Sequence, residues 1–346
     1  MGALEPPIGL EIDKLSILIG WESCEEQALA PMVCLTPKLP ECAMSKQDSR
    51  TDAKTPTQLG PLFPEAVPST VGSNQWSGRS RAGATWTVYR GDALDVLKSL
   101  PPDHYASVVT SPPYFWQRDY GVDGQIGMEG AVGDYVVAIT KCFDEVKRVL
   151  KKDGLLFLNL GDTYYSAKGE PKGKDRKNKG RRFGLRLVDQ SGLGLPRKTL
   201  IGIPWQVALA MIAKGWALRS SIIWHRKGAM PEPTAHDRPW RTYEFIFVFS
   251  RSPKYYFNRD KLEGYEDVWT ISDRPQGNKG LHSAAFPSAL VERCLTIGCR
   301  PDGLVLDPFA GTGTTLAAAL GSGRSCVGID LNADYCQYMA DRLSKL

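Results

Sequence analysis

From Thr85 onward the chain alternates short apolar runs with segments of helical spacing, and this alternation restricts the fold more than any other feature of its 346 residues. Residues 106–110 (ASVVT) and 155–160 (LLFLNL) place apolar side chains at consecutive positions. A strand that is apolar on both faces has to be covered on both, which is the condition of a largely parallel sheet lying between helices. Strands are expected at 85–89, 106–110, 155–160, 217–224, 243–249, 304–307 and 325–329. Helices are expected at 93–100, 134–151, 204–214, 287–297, 314–320 and 333–343, with Gly154 read as the C-cap signal of the second. No internal repeat interrupts the pattern.

The preceding residues differ in kind. Residues 1–84 hold 9 of the 24 prolines, and 45–83 are rich in Ser, Thr, Gly and Gln. Such a stretch buries too little apolar surface to offset its ordering entropy, so it reads as a flexible extension to an α/β domain over 85–346. A start of translation at Met44 is an alternative expectation. The overall charge of +5 divides unevenly: residues 1–81 carry 7 basic and 10 acidic side chains, and the remainder is net +8. No apolar run approaches the roughly 18 residues of a membrane helix, and the run 15–20 follows an acidic stretch unlike a signal peptide. A soluble cytoplasmic protein is expected. The eight Cys form no CxxC pair and there are four His, so neither a zinc site nor a disulfide framework is expected.

Two loops carry chemistry. Asp307-Pro308-Phe309-Ala310-Gly311-Thr312-Gly313-Thr314 joins a strand to a helix, where a doubly wound sheet presents its ligand crevice. No Lys follows the glycines, which excludes a phosphate-binding P-loop, and the spacing is not that of a dinucleotide GxGxxG. Asp330 ends the next strand, placed for ribose hydroxyls. Paired with Asp307, it suits a nucleoside carrying a positive sulfonium, which points to S-adenosylmethionine. The second loop, Ser111-Pro112-Pro113-Tyr114, also follows a strand.

Together these motifs resemble the β-class amino-methyltransferases of DNA, with their (Ser/Asn/Asp)-Pro-Pro-(Tyr/Phe) and Phe-x-Gly-x-Gly sequences in this order. The likeness extends through Gly161-Asp162-Thr163, Trp224-His225-Arg226-Lys227 and the 282–287 block, covering essentially residues 86–346. It implies a Rossmann-like methyltransferase with a mostly parallel twisted sheet, helices on both faces and a basic loop insertion for target recognition. It also implies that Ser111, Pro112, Pro113 and Tyr114 are catalytic. The Ser111 hydroxyl and the Pro112 carbonyl would accept hydrogen bonds from an exocyclic amine, while Tyr114 offers a face to a flipped base. Cofactor contacts are implied for Asp92, Phe286 and Pro287, joining Asp307, Phe309, Gly311, Gly313, Thr314 and Asp330. Asp92 reads equally as the N-cap of the first helix. His282 matches the family's usual His, or is structural.

Residues 167–198 hold eleven basic and three acidic side chains. Beside such motifs the window reads as a DNA-contacting insertion, in which Lys172, Lys174, Arg176, Lys177, Arg181 and Arg182 meet phosphates. Lys227 opens a second target-recognition part over 225–282. The expected partner is double-stranded DNA, with no membrane and no metal; a homodimer and a separate cognate restriction endonuclease stay open. Ser at position 111 favours the N4 amine of cytosine by family habit, with the N6 amine of adenine as the alternative. Cytosine C5 chemistry would need a Pro-Cys nucleophile, and no such dipeptide occurs. A catalytically silent DNA-binding protein and a methyltransferase of RNA or small molecules are the remaining readings.

Overall fold

In the central strands successive side chains part to opposite sides of the sheet, and each side meets its own layer of helices. The computed structural model describes residues 74–169, 186–229, 232, 235–262, 264, 266–272 and 286–346. The strands are β1 (Gln75–Arg79), β2 (Thr85–Arg90), β3 (Tyr105–Thr110), β4 (Leu150–Leu160), β5 (Ala217–Lys227), β6 (Tyr243–Ser250), β7 (Val268–Ser272), β8 (Val305–Asp307) and β9 (Cys326–Asp330). The helices are α1 (Ala93–Ser99), α2 (Val132–Val149), α3 (Ile203–Ala213), α4 (Ser288–Gly298), α5 (Thr314–Gly321) and α6 (Ala333–Leu343).

Among the described residues the strands form one nine-stranded sheet in the order β1-β2-β9-β8-β3-β4-β6-β5-β7. The run from β2 to β4 is parallel throughout, β6 is antiparallel to both β4 and β5, and β7 is parallel to β5. In β4, Leu156 and Leu158 pack with α1, α2 and α3, whereas Leu155 and Phe157 pack with α4, α5 and α6. Consecutive apolar residues therefore reflect two covered faces, as the run LLFLNL requires. The expected α/β architecture with helices on both faces is what the chain forms.

The order of strands positions the site. From β3 the chain passes to α2 on one face, and from neighbouring β8 it passes to α5 on the other. Connections that part to opposite faces leave a crevice at the carboxyl ends of the two strands, where α/β sheets take their ligands.

Three details differ from the expectation. The sheet starts at Gln75 rather than Thr85, because QWSGR pairs antiparallel with β2. Strand β7 was not anticipated; in VWTIS only Trp269 is fully buried, so its alternation is faint. Gly154 does not cap α2. That helix ends at Val149 with Leu150 as its C-cap, and the chain enters β4 at once. Gly154 lies beside the register shift between β3 and β4, where a Cβ would stand 2.9 Å from the Ala106 carbonyl oxygen. The expected extension before residue 74 lies outside the described residues.

At the end of α4, a Cβ on Gly298 would stand 2.3 Å from Cε2 of Phe157, a ring 1% exposed in the core. Gly298→Ala is therefore expected to lower stability by roughly 1–3 kcal/mol through overpacking. Denaturant unfolding should show a lower midpoint at unchanged slope, and an unchanged midpoint would mean that α4 and β4 have slack between them.

Candidate active site

A cavity of about 310 Å³ opens at the carboxyl ends of β2, β3, β4, β8 and β9. Its floor is a buried hydrogen bond: Thr110 Oγ1, at the end of β3, donates to Asp307 Oδ1, at the end of β8, at 2.6 Å. The Phe309 N–H donates to the same oxygen at 3.1 Å, starting the glycine-rich turn. Thr315, in the first turn of α5, donates to the Val109 carbonyl and binds that helix to β3. The two loops singled out in the sequence are thus tied together at the floor of one cavity.

Asp330 closes the turn from the other side. Its Oδ2 accepts from the Gly311 N–H and its Oδ1 from the Asn332 N–H, both at 2.8 Å. Burial is the main cause that pushes the carboxyls of Asp307 and Asp330 up to about 6. Asp92 lines the cavity while accepting from the Asp95 N–H as N-cap of α1, so both of its expected roles fit one conformation. Thr312 Oγ1 is buried without a hydrogen-bond partner and borders the same space.

Ser111, Pro112, Pro113 and Tyr114 form the opposite wall. The Tyr135 hydroxyl donates to the Pro113 carbonyl at 2.9 Å and fixes the turn from α2. The Tyr114 ring lies on Gly161, where a Cβ would come within 2.5 Å of Cε2. That glycine is the first of the Gly161-Asp162-Thr163 motif, and its neighbour has a different task. Asp162 accepts from the Gly202 and Ile203 N–H groups, 3.0–3.1 Å away, placing a carboxylate at the N-terminus of α3.

Of the expected cofactor residues, Asp92, Phe286, Asp307, Phe309, Gly311, Thr314 and Asp330 line the cavity. Gly313 and Pro287 are not among its lining residues. Gly313 takes φ +77° as N-cap of α5, and a Cβ there would meet Met339 of α6 at 2.5 Å. Pro287 begins α4 as its N-cap. Lys227 ends β5 exposed and away from the cavity lining. Lys172, Lys174, Arg176, Lys177, Arg181, Arg182 and His282 lie outside the described residues. Within the basic window Arg186 pairs with Asp189 at 2.7 Å, and Lys198 pairs with Asp237.

Beside Arg226 of the Trp224–Lys227 block, the structure adds cavity residues that the sequence does not single out, chiefly Asn159 and Glu244. Each carried a faint signal: Asn159 is the polar residue within LLFLNL, and Glu244 the acid within YEFIFVFS. Among the described residues no His, Cys, Asp and Glu cluster could hold a metal ion, and no helix is long and apolar enough to cross a membrane.

Fold and site together define an α/β protein with a nucleoside-type crevice facing a Ser-Pro-Pro-Tyr wall. A model of the DNA methylase family matches residues 105–341. The chain is 40% identical over 266 residues to the Type II methyltransferase M.Cfr9I of Citrobacter freundii, covering 74% of this chain and 87% of that protein. The fold is similar to that of PvuII DNA methyltransferase (cytosine-N4-specific), with TM-score 0.58, 21% identity and coverage of 77% and 89%. It is also similar to the Thermus thermophilus protein TTHA0409, solved with S-adenosyl-L-methionine, with TM-score 0.52, 25% identity and coverage of 75% and 94%. The chain belongs to the DNA methylase family.

The raised carboxyls make a prediction for the ligand-free protein. A carboxyl at about 6 when folded and near 3.9 when unfolded binds its proton more tightly in the folded state. Its contribution to stability is complete at low pH and is lost as pH rises through 6. Unfolding free energy should therefore gain on the order of 2 kcal/mol from Asp307 between pH 7 and pH 4. Asp307→Asn should remove that gain relative to wild type in pH-dependent denaturation. Parallel pH profiles for the two proteins would contradict the assignment.

Proposed function

We propose that this protein transfers a methyl group from S-adenosylmethionine to the N4 amine of cytosine in double-stranded DNA, after the target base has left the stack. The observation that carries the reading is the Thr110–Asp307 hydrogen bond, which sets the Ser111–Tyr114 wall and the glycine-rich turn against one cavity. The cavity suits the cofactor. The partnerless Thr312 hydroxyl, the open lone pairs of Asp330 and the half-exposed Asp92 provide polar contacts for a nucleoside and its amino acid tail. The Asp307 and Asp330 carboxylates favour a positive ligand. When bound, S-adenosylmethionine supplies the activated methyl group.

The residues of the chain supply placement. An exocyclic amine is conjugated into its ring and is a poor nucleophile, so the site must draw its hydrogens into bonds and aim its nitrogen at the methyl carbon. Ser111 Oγ and the Pro112 carbonyl are the acceptors for those hydrogens. The Tyr114 ring, backed by Gly161, offers its outer face to the base. Phosphate contacts come from the basic window 167–198 and Lys227, with base reading shared by 225–282. The enzyme acts in the cytoplasm as the modification half of a restriction–modification pair. Ser111 supports cytosine over adenine through the family habit; N6-adenine transfer would use the same walls.

Incubating DNA with labelled S-adenosylmethionine and digesting it to nucleosides should yield N4-methylcytidine as its deoxynucleoside. N6-methyladenine alone would overturn the choice of base, and no labelled nucleoside on varied DNA would overturn the activity. Ser111→Ala should slow methyl transfer by about a hundredfold while cofactor affinity holds. Equal loss of both would make Ser111 a structural residue.

A further inference from the structure

A serine hydroxyl is an ambiguous group, able to donate one hydrogen bond and to accept two. An exocyclic amine presents hydrogens and a ring carbonyl presents lone pairs. The role that Ser111 takes therefore decides which of them the wall admits. The residues behind it remove the ambiguity.

Asn159, buried on β4, donates through Nδ2 to the Phe245 carbonyl at 3.1 Å. This turns its Oδ1 toward the Tyr114 hydroxyl, 3.1 Å away. Glu244 on β6 pairs through Oε1 with Arg226 at 3.3 Å and offers Oε2 to the same hydroxyl at 2.8 Å. Asn159 Nδ2 also donates to Oε2, at 3.2 Å, which locks the two residues together across neighbouring strands. Tyr114 Oη thus faces two acceptors that have no hydrogen to return. Its single proton goes to them, foremost to the nearer and charged one. Burial, and next the Glu244 charge, hold the phenol well above its usual pKa, so that proton stays in place. In the 3.2 Å contact between Ser111 Oγ and Tyr114 Oη, the donor is then Ser111. The Ser111 lone pairs remain for the cavity.

We propose that Glu244 and Asn159, acting through Tyr114, fix Ser111 as a hydrogen-bond acceptor and so select target bases bearing an exocyclic amine over those bearing a carbonyl. The proposal rests on the methyl-transfer reading above. Ser111 is the residue that touches the amine; Tyr114 hydroxyl, Asn159 and Glu244 are positioning groups. A hydroxyl freed from this chain could turn its hydrogen into the cavity and meet a carbonyl as readily as an amine.

The test uses a duplex containing the sequence at which the wild-type protein methylates genomic DNA. It is prepared with the target base intact and with its deaminated counterpart, in which a carbonyl replaces the amine. Affinities for both duplexes are measured for wild type, Tyr114→Phe and Glu244→Gln. The cost of opening the mismatched pair is common to all three proteins and cancels when their affinity ratios are compared. Tyr114→Phe keeps the ring on Gly161 but removes the acceptor of the Ser111 proton. Its carbonyl-to-amine affinity ratio should rise roughly tenfold above wild type, the scale of one mismatched buried hydrogen bond. Glu244→Gln should move the ratio the same way by less, because Asn159 Oδ1 still holds the Tyr114 proton. If Tyr114→Phe does not fold, Glu244→Gln is read by the same ratio. A purely structural role would weaken both duplexes alike, and a ratio unchanged from wild type overturns the proposal while leaving the activity standing. A wild-type protein that methylates no DNA overturns the activity and this proposal with it.

Discussion

The hydrogen bond from Thr110 to Asp307 joins the last residues of two neighbouring strands, at the place where the chain sends its connections to opposite faces of the sheet. Its length of 2.6 Å and full burial make it a strong tie, since its acceptor is a carboxylate shielded from water. Everything that surrounds the cavity is measured from it. Ser111 follows Thr110 directly, and the glycine-rich turn follows Asp307. The separation of the two loops is thus set by the pairing of β3 with β8 and is independent of loop conformation. Placing reactive groups on the ends of paired strands gives them the rigidity of the sheet.

The two walls built on this tie have opposite chemical character. On the glycine-rich side, carboxylates accept backbone N–H groups and are held at raised pKa by burial, so they respond to the charge of what enters. On the Ser111 side, hydroxyls and an amide are arranged in a directed order that ends on Glu244, itself held by Arg226. One wall discriminates by charge and the other by the direction of hydrogen bonds. Such a division suits a reaction between two substrates, one positively charged and one neutral, meeting at a shared boundary.

Much of this is legible in the amino-acid order, because the strongest signals are local. Helix α6 begins after Asn332, whose side chain accepts from the Asp334 and Tyr335 N–H groups as a helix cap does. The central strands are visible in their unbroken apolar runs. The edge strands β1 and β7 are not, since each has five residues and little buried surface. Gly154 misleads because a glycine just after a helical pattern usually caps it, and only the approach of the Ala106 carbonyl shows its true function. Glu244 escapes for another reason. It reaches Asn159 from a distance of 85 residues along the chain, through the antiparallel pairing of β4 with β6. No spacing in the sequence records such a meeting, whereas Ser111 and Tyr114 sit within one short motif.

Gly161 and Asp162 are adjacent, yet one seats the Tyr114 ring and the other closes the N-terminus of α3. The turn is therefore a bracket with two loads. Helix α3 leads into β5, the strand that delivers Arg226 to Glu244. The aromatic seat and the far end of the hydroxyl chain consequently descend from a single two-residue hinge point. The Asp162 carboxylate holds the Gly202 N–H, so the chain leaves the site and returns to it at one residue. The span between Asp162 and Gly202 contains the basic window 167–198, so the segment proposed to contact DNA is anchored at both ends to the residues that seat Tyr114 and start α3.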